Sequence, residues 1–597
     1  MRQIACVSLA LFFWVNAQCA AQEISSDGAP EDIVEAVPEA EVATLTEFEL
    51  ADNPAVDKHI VELLKRHVSV FNRPAELLTA SELRLIRYAI RKEVNDIVAT
   101  EGYFSPVIGF TVSTDKEKKT VLIGLNLGEP TKVASTEIKF IGTDVTPDLQ
   151  RSIRTQWLLP KGAIFRDDDW SRSKNQALDS LTEQSYAAAK ISYSEAIVQD
   201  QLADLSVELD SGPGFRIGAL HIKGLNMYQP WLVDRYHPPE TGEFYNREAL
   251  LKFQRELQNS PYFSSVTVNI NPDPAVADAL PVEVLVTERK KYDVGLSAGF
   301  SSNTGARGEV SVQDRNFLEE AYNLKSVVRI EQRRQIGYVD MFFPPQTSGY
   351  LDSVGALFDR TDLSGLVTAA SSFGVKRTIT ENDIERRFGL SFIYEQSSID
   401  GGPKSLAKAL VPSIGWTRRK VDNAFDPRAG YVAQLDIGGA TKAALSDQNF
   451  ARLYGKFQYW MPVFERDVIL LRAEGGLILS PSRDGIPEEY LFRAGGTGSV
   501  RGYLYQSLGV SQDNAIVGGR MMTTASAEYV HWLQGNWGLA AFVDEGNAAD
   551  KLSALKLDQG VGTGVRFKTP AGPIALDVAY GREVKKFRLD FSIGIAF

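Results

Sequence analysis

The sequence predicts an α+β segment of three repeated modules followed by an all-β transmembrane barrel, and three observations predict it. Between residues 46 and 288 one unit recurs three times: a helical stretch, an aromatic near its end, then two alternating strands. From about 289 helical periodicity fades into short stretches that alternate apolar and polar residues between Gly, Asn, Asp and Pro. Past the N-terminus no run reaches the about 18 consecutive apolar residues of a spanning helix, which leaves strands as the way through a bilayer.

The chain has 597 residues and opens with Arg2, an apolar stretch from Ile4 to Val15 and the small residues Cys19-Ala20-Ala21. This reads as an export signal over 1–21, since the apolar run is too short to span a bilayer. Gln18 stands before Cys19 where a lipoprotein signal has a small residue. Both cysteines, Cys6 and Cys19, fall inside the signal, so disulfides, Cys-rich zinc sites and cysteine nucleophiles are not expected after export. A net charge of −12 without a basic stripe points away from nucleic acid as a partner. Residues 22–45 carry Glu23, Asp27, Glu31, Asp32, Glu35, Glu39 and Glu41, no Lys or Arg, and two prolines. They read as a disordered acidic leader.

The modules are placed at 46–132, 133–212 and 213–288. Gly102-Tyr103-Phe104, Ser185-Tyr186 and Pro261-Tyr262-Phe263 mark corresponding points, each ahead of an alternating strand. Ile138-Lys139-Phe140-Ile141-Gly142 and Leu220-His221-Ile222-Lys223-Gly224 mark a second pair. Leu83, Ile86, Ile90, Val94 and Ile97 recur at helical spacing behind a Thr79–Glu82 capping box. Leu250, Phe253 and Leu257 do the same in the third copy, and Val282, Val284 and Val286 alternate as a strand. Asp168-Asp169 fits a helix start in the second. A helix pair on a small sheet packs these parts.

The barrel is placed at 289–597. Tyr292, Val294, Leu296, Ala298 and Phe300 alternate in its first strand, and Tyr431, Ala433, Leu435 and Ile437 further on. In the last, Phe587, Leu589, Phe591, Ile593, Ile595 and Phe597 alternate with Arg588, Asp590, Ser592, Gly594 and Ala596. Eleven residues rising about 3.4 Å each and tilted about 45° cross about 26 Å, the height of an outer-membrane apolar band. At about 19 residues per strand and turn the segment holds about 16 strands, and closure removes the unpaired edges.

Two motifs carry a family resemblance. Val500-Arg501-Gly502-Tyr503 follows the Gly-rich stretch Arg493-Ala494-Gly495-Gly496-Thr497-Gly498-Ser499, and Phe542-Val543-Asp544-Glu545-Gly546 comes later. With the Asp422-Asn423 to Asp426-Pro427-Arg428-Ala429-Gly430 turn and the terminal Phe597, the chain resembles the outer-membrane assembly barrels, in which POTRA modules precede a 16-stranded barrel. The resemblance implies that the loop over about 480–519 folds into the lumen, where Arg501 meets Asp544 on the wall strand of Phe542 and Gly546. It implies that the last strand closes on the first at a weak seam that opens sideways. Gly594 would let the last strand bend or simply admit a neighbour, and Phe597 would serve the barrel's own insertion.

The implied action is insertion or translocation of client β-proteins, autotransporters among them, without ATP or a cofactor. The implied partners are the outer-membrane bilayer, client outer-membrane proteins and a TamB-like, inner-membrane-anchored periplasmic protein. Three modules match the translocation-and-assembly branch; the general assembly proteins carry five, and secretion translocators usually two. The rival readings are a translocator passing one dedicated substrate through its pore, and a passive porin or lipid-handling barrel.

Enzyme motifs find no support. Gly295-Leu296-Ser297-Ala298-Gly299 matches a nucleophile elbow, but it lies in an alternating run with no helix after it. His59, His67, His221, His237 and His531 are scattered without a metal-binding spacing. The run Gly495 to Gly502 lacks the Lys-Ser/Thr ending of a phosphate loop.

Overall fold

Helix Ala80–Thr100 begins where the sequence says it should. Thr79 accepts the Glu82 backbone N–H, and the Glu82 carboxylate accepts that of Thr79, so two orphan donors are satisfied. Its inner face buries Ile90, Val94 and Val98 against helix Lys58–His67 and a four-stranded sheet, while Leu83, Ile86 and Ile97 are half-buried. In that sheet Thr44–Leu50 runs parallel to Lys118–Asn126 and antiparallel to Glu76–Leu78, with Val107–Asp115 on the far edge. The first strand therefore starts two positions before the boundary placed at 46. The computed structural model describes residues 43–115, 118–143, 145–570 and 572–593. The signal, most of the acidic leader, and Gly594, Ile595 and Phe597 lie outside the described residues.

The second module repeats the pattern with helices Pro147–Thr155 and Asp167–Thr182 and a sheet ordered Lys132–Ile141, Leu202–Asp210, Lys190–Gln199. Asp167, Asp168 and Asp169 occupy the first turn of the longer helix, where the helix dipole favours negative charge. In the third, Phe253 and Leu257 of helix Arg247–Asn259 are sealed beneath a sheet ordered Ile217–Lys223, Leu280–Glu288, Phe263–Ile270.

The rest is a 16-stranded antiparallel sheet in which each strand pairs with its neighbours in sequence, from Tyr292–Ser301 to Lys586–Ile593. This is a nearly closed barrel. Alternation sets its two faces: Tyr292, Val294, Leu296 and Phe300 of the first strand and Phe587 and Leu589 of the last are exposed on the outside. The Gly295–Gly299 pentad is an extended ladder, Ser297 opposite Glu309. The Asp422–Gly430 turn is shaped by Asp422, whose carboxylate accepts the N–H groups of Arg428 and Ala429.

The third module is tied to the end of strand Gly305–Phe317 and to the turn after it. The Tyr228 hydroxyl donates to the Arg315 carbonyl at 3.0 Å, and that of Tyr262 to the Ala321 carbonyl at 2.8 Å. Glu288 accepts the backbone N–H groups of Asn226, Met227 and Tyr228 at 3.0 Å each. Tyr262→Phe keeps the ring but leaves the buried Ala321 carbonyl without its donor, a loss of about 1 kcal/mol. Amide exchange in the 318–321 turn should rise about fivefold, with the barrel intact. An unchanged rate would mean that the hydroxyl does not hold the turn.

Candidate functional site: the lumen loop and the seam

The loop between strands Asp467–Leu479 and Met521–Trp532 covers residues 480–520 and turns into the barrel. Its glycines permit the path. Gly495, Gly496 and Gly502 take φ of +104°, +97° and +90°, and a Cβ on Gly502 would stand 2.7 Å from the Gly581 nitrogen. Ile486, Leu491, Phe492, Val500, Tyr503 and Leu508 pack in one apolar cluster that anchors the loop.

That path places Arg501 in a ring of wall residues. Arg501 is 2 % exposed and Asp544 0 %. Arg501 Nε and Nη2 donate to the two Asp544 oxygens at 2.7 and 2.9 Å, and its backbone N–H to Oδ2 at 3.1 Å. Nη1 donates to Glu528 at 2.6 Å and to Asp577 at 3.1 Å. The guanidinium carbon lies 3.3 Å from the centre of the Phe542 ring. Arg566 bridges the same acids, to Glu528 at 2.7 Å and to Asp577 at 2.5 Å. Arg472 donates to Ser526 at 2.9 Å, and Ser526 in turn to Asp544 at 2.6 Å. Three guanidinium groups thus face the three carboxylates Glu528, Asp544 and Asp577. Bidentate, charge-assisted contacts of this kind are the strong ones, and here Arg501, Arg566 and the three carboxylates are all buried.

Strand register explains why these groups meet. Arg472 stands opposite Ser526, Ser526 opposite Asp544, and Asp544 opposite Gly560. Asp577 stands opposite Gly564 on one side and Asp590 on the other. All face inward. Gly560, Gly562 and Gly564 leave room: a Cβ on Gly560 would overlap the Arg501 carbonyl oxygen, and one on Gly562 would come 2.5 Å from the Phe542 ring. Gly546 is confined in the same way, 2.7 Å from the Thr524 methyl. The Tyr503 hydroxyl donates to the Gln559 carbonyl at 3.1 Å and pairs with Glu583.

The structure thus brings Val500, Arg501, Gly502, Tyr503, Phe542, Asp544 and Gly546 together. Sequence reasoning missed Arg472, Glu528, Arg566, Asp577, Asp590 and the three glycines. Their signal was lone charges of opposite sign at inward-facing positions of successive wall strands, beside a Gly-x-Gly-x-Gly strand.

The closure expected of the last strand on the first turns on Gly594 to Phe597, which lie outside the described residues. Among the described residues the last strand pairs only with Ile574–Gly581 and the first only with Gly305–Phe317. One side chain bridges the gap: the Ser302 hydroxyl donates to the Phe591 carbonyl at 3.3 Å and accepts the Phe591 N–H at 3.2 Å. Ile593 is the last described residue; Gly594, Ile595 and Phe597 lie beyond it. The lumen loop reaches both sides of this gap. Gly502 N–H donates to Asp590 at 3.2 Å, and Asn303 Nδ2 donates to the Thr497 hydroxyl at 3.1 Å.

With this geometry in view, the chain is similar to known proteins. The Omp85 superfamily domain matches residues 290–597. The outer membrane protein assembly factor BamA of Neisseria meningitidis serogroup B is 22% identical over 508 residues, 77% of this chain and 62% of that protein. BamA of Nitratidesulfovibrio vulgaris is 20% identical over 538 residues, 83% of this chain and 66% of that one. The chain therefore spans just under two thirds of the length of these relatives. The crystal structure of BamA from Haemophilus ducreyi lacking POTRA domains 1-3 superposes with a TM-score of 0.62 at 16% identity, over 76% of this chain and 98% of that one. The two share a fold.

Proposed function

The chain belongs to the Omp85 superfamily, and on that footing we propose that it is an insertase that assembles client β-barrel proteins at its seam. It is an outer-membrane protein with its N-terminal modules in the periplasm. The observation that carries the proposal is the first strand. Tyr292–Ser301 has a ladder on one side only among the described residues, and an opened seam would bare the backbone donors and acceptors of its other edge. A client strand adds to such an edge by β-augmentation, and its own folding supplies the free energy.

In this reading Val500, Arg501, Gly502 and Tyr503 clamp the loop against the wall through Phe542, Asp544 and Gly546. The clamp keeps the wall beside the seam in shape while the seam itself opens. The outer residues Tyr292, Val294, Leu296 and Phe300 and Phe587, Leu589 and Phe591 present apolar side chains to lipid and to the incoming strand. The modules at 46–132, 133–212 and 213–288 are POTRA domains that receive clients. Three such modules support a role like that of TamA, with autotransporters among the clients and a TamB-like periplasmic partner.

A reducible thiol crosslink tests the seam. The pair Ser302→Cys and Phe591→Cys sits where one hydroxyl already spans the gap. Bridged, the protein should assemble clients at background level, and reduction should restore it. Normal assembly through a bridged seam would remove the proposal and leave the pore as the route.

A further inference from the structure

The third module meets the barrel at two places, and the contacts differ in chemistry. At the end of strand Gly305–Phe317 and the turn after it the donors are the Tyr228 and Tyr262 hydroxyls. Burial pushes both phenols above their usual range, so they stay protonated at any physiological pH. At the 343–350 turn the contact is an imidazole. His237 Nε2 lies 3.1 Å from the Thr347 carbonyl oxygen, and Nδ1 lies 3.4 Å from Glu256 Oε2 on helix Arg247–Asn259.

Both partners of His237 can only accept. A neutral imidazole carries one N–H and serves one of them; the doubly protonated ring serves both. We propose that His237 is a proton-operated latch, closing the third module onto the 343–350 turn when doubly protonated, with the Tyr228–Tyr262 contact as pivot. The backbone holds the ring in place: His237 has φ of +53° and precedes Pro238 and Pro239.

The charged surroundings are few. On the helix, Glu256 also has Lys252 Nζ 3.9 Å from its other oxygen, which competes for the same carboxylate. The segment of His237 itself brings Asp234, Arg235, Tyr236 and Glu240, of which Arg235 lies over the Trp231 ring. The 343–350 turn has one titratable side chain, Tyr350, which lies against Arg377. The turn thus offers His237 a carbonyl and no charge.

Between pivot and latch lies a cavity of about 450 Å³, lined among others by Tyr236, Tyr262, Arg315, Lys325, Phe343 and Leu351. The latch therefore sets how closely the third module covers this cavity. The sign follows from the donors: acid adds the second N–H and closes it, and higher pH removes that proton and loosens it.

Spin labels at Asp278→Cys on the module and Glu465→Cys on a barrel turn report the motion, in the full chain with Cys6 and Cys19 replaced by serine. Pulsed EPR in lipid vesicles compares pH 8 with pH 5. The closed-to-open ratio should rise about threefold to tenfold on acidification, the effect of gaining one part-exposed, charge-assisted hydrogen bond. His237→Gln should abolish the shift while the barrel stays folded by heat-modified gel mobility. Glu256→Gln, which removes the charge but keeps an acceptor, should reduce it. Identical distributions at both pH values in the parent, or an undiminished shift in His237→Gln, would overturn the latch.

Discussion

Arg501→Ala should leave the barrel in the membrane and reduce client assembly at least tenfold. The substitution removes both side-chain donors that Arg501 gives Asp544, leaving only its backbone N–H, and one of the two guanidinium groups on Glu528 and Asp577. Breaking a buried ion pair from one side costs on the order of 3–5 kcal/mol, because the partner charge stays behind. The wall strands keep their ladders, so the loss falls on the loop. Arg501→Lys should fail almost as badly, since an ammonium cannot serve two Asp544 oxygens, Glu528 and Asp577 with planar bidentate geometry. Assembly of a reporter client, read with heat-modified gel mobility of the barrel, checks both. Full activity in Arg501→Ala would mean that the clamp does not serve assembly.

Gly560→Ala should reproduce much of that defect without touching a charge. A methyl there has no room, because it would overlap the Arg501 carbonyl oxygen, and a backbone atom cannot swing away as a flexible side chain can. Either the loop lifts off the wall or strand Asp558–Phe567 bends, and both separate Arg501 from Asp544. Overpacking of this kind costs about 1–3 kcal/mol. The expected outcome is client assembly lowered several-fold and a 480–520 loop open to added protease. Gly308→Ala is the control: it is a barrel-strand glycine with open space where its Cβ would be, and it should behave as the parent. If Gly560→Ala assembles clients normally with a protected loop, close packing of loop on wall is not what positions Arg501.

Much of the layout was legible because it depends on local pattern. Period-two alternation after 289 marks strands whatever they pair with, and the Thr79–Glu82 box marks a helix start through contacts three residues apart. The paired motifs around Arg501 and Asp544 were legible through resemblance. The rest of the clamp was not. Glu528, Arg566 and Asp577 come from three strands with no common motif, and only barrel register sets them beside one another. Likewise nothing near His237 in sequence points to Thr347, 110 residues away.

By itself, then, the sequence determined the order of parts: three modules, a sheet of sixteen strands and a long glycine-rich loop. It could do so because alternation, capping and turn chemistry act over a few residues. Only the tertiary structure decided that Arg501 is shared among three carboxylates, that the Ser302 hydroxyl meets the Phe591 backbone, and that the third module rests on the barrel through phenols at one place and an imidazole at another. Those outcomes depend on stagger and inward facing around the sheet, a collective property of sixteen registers that no single segment encodes.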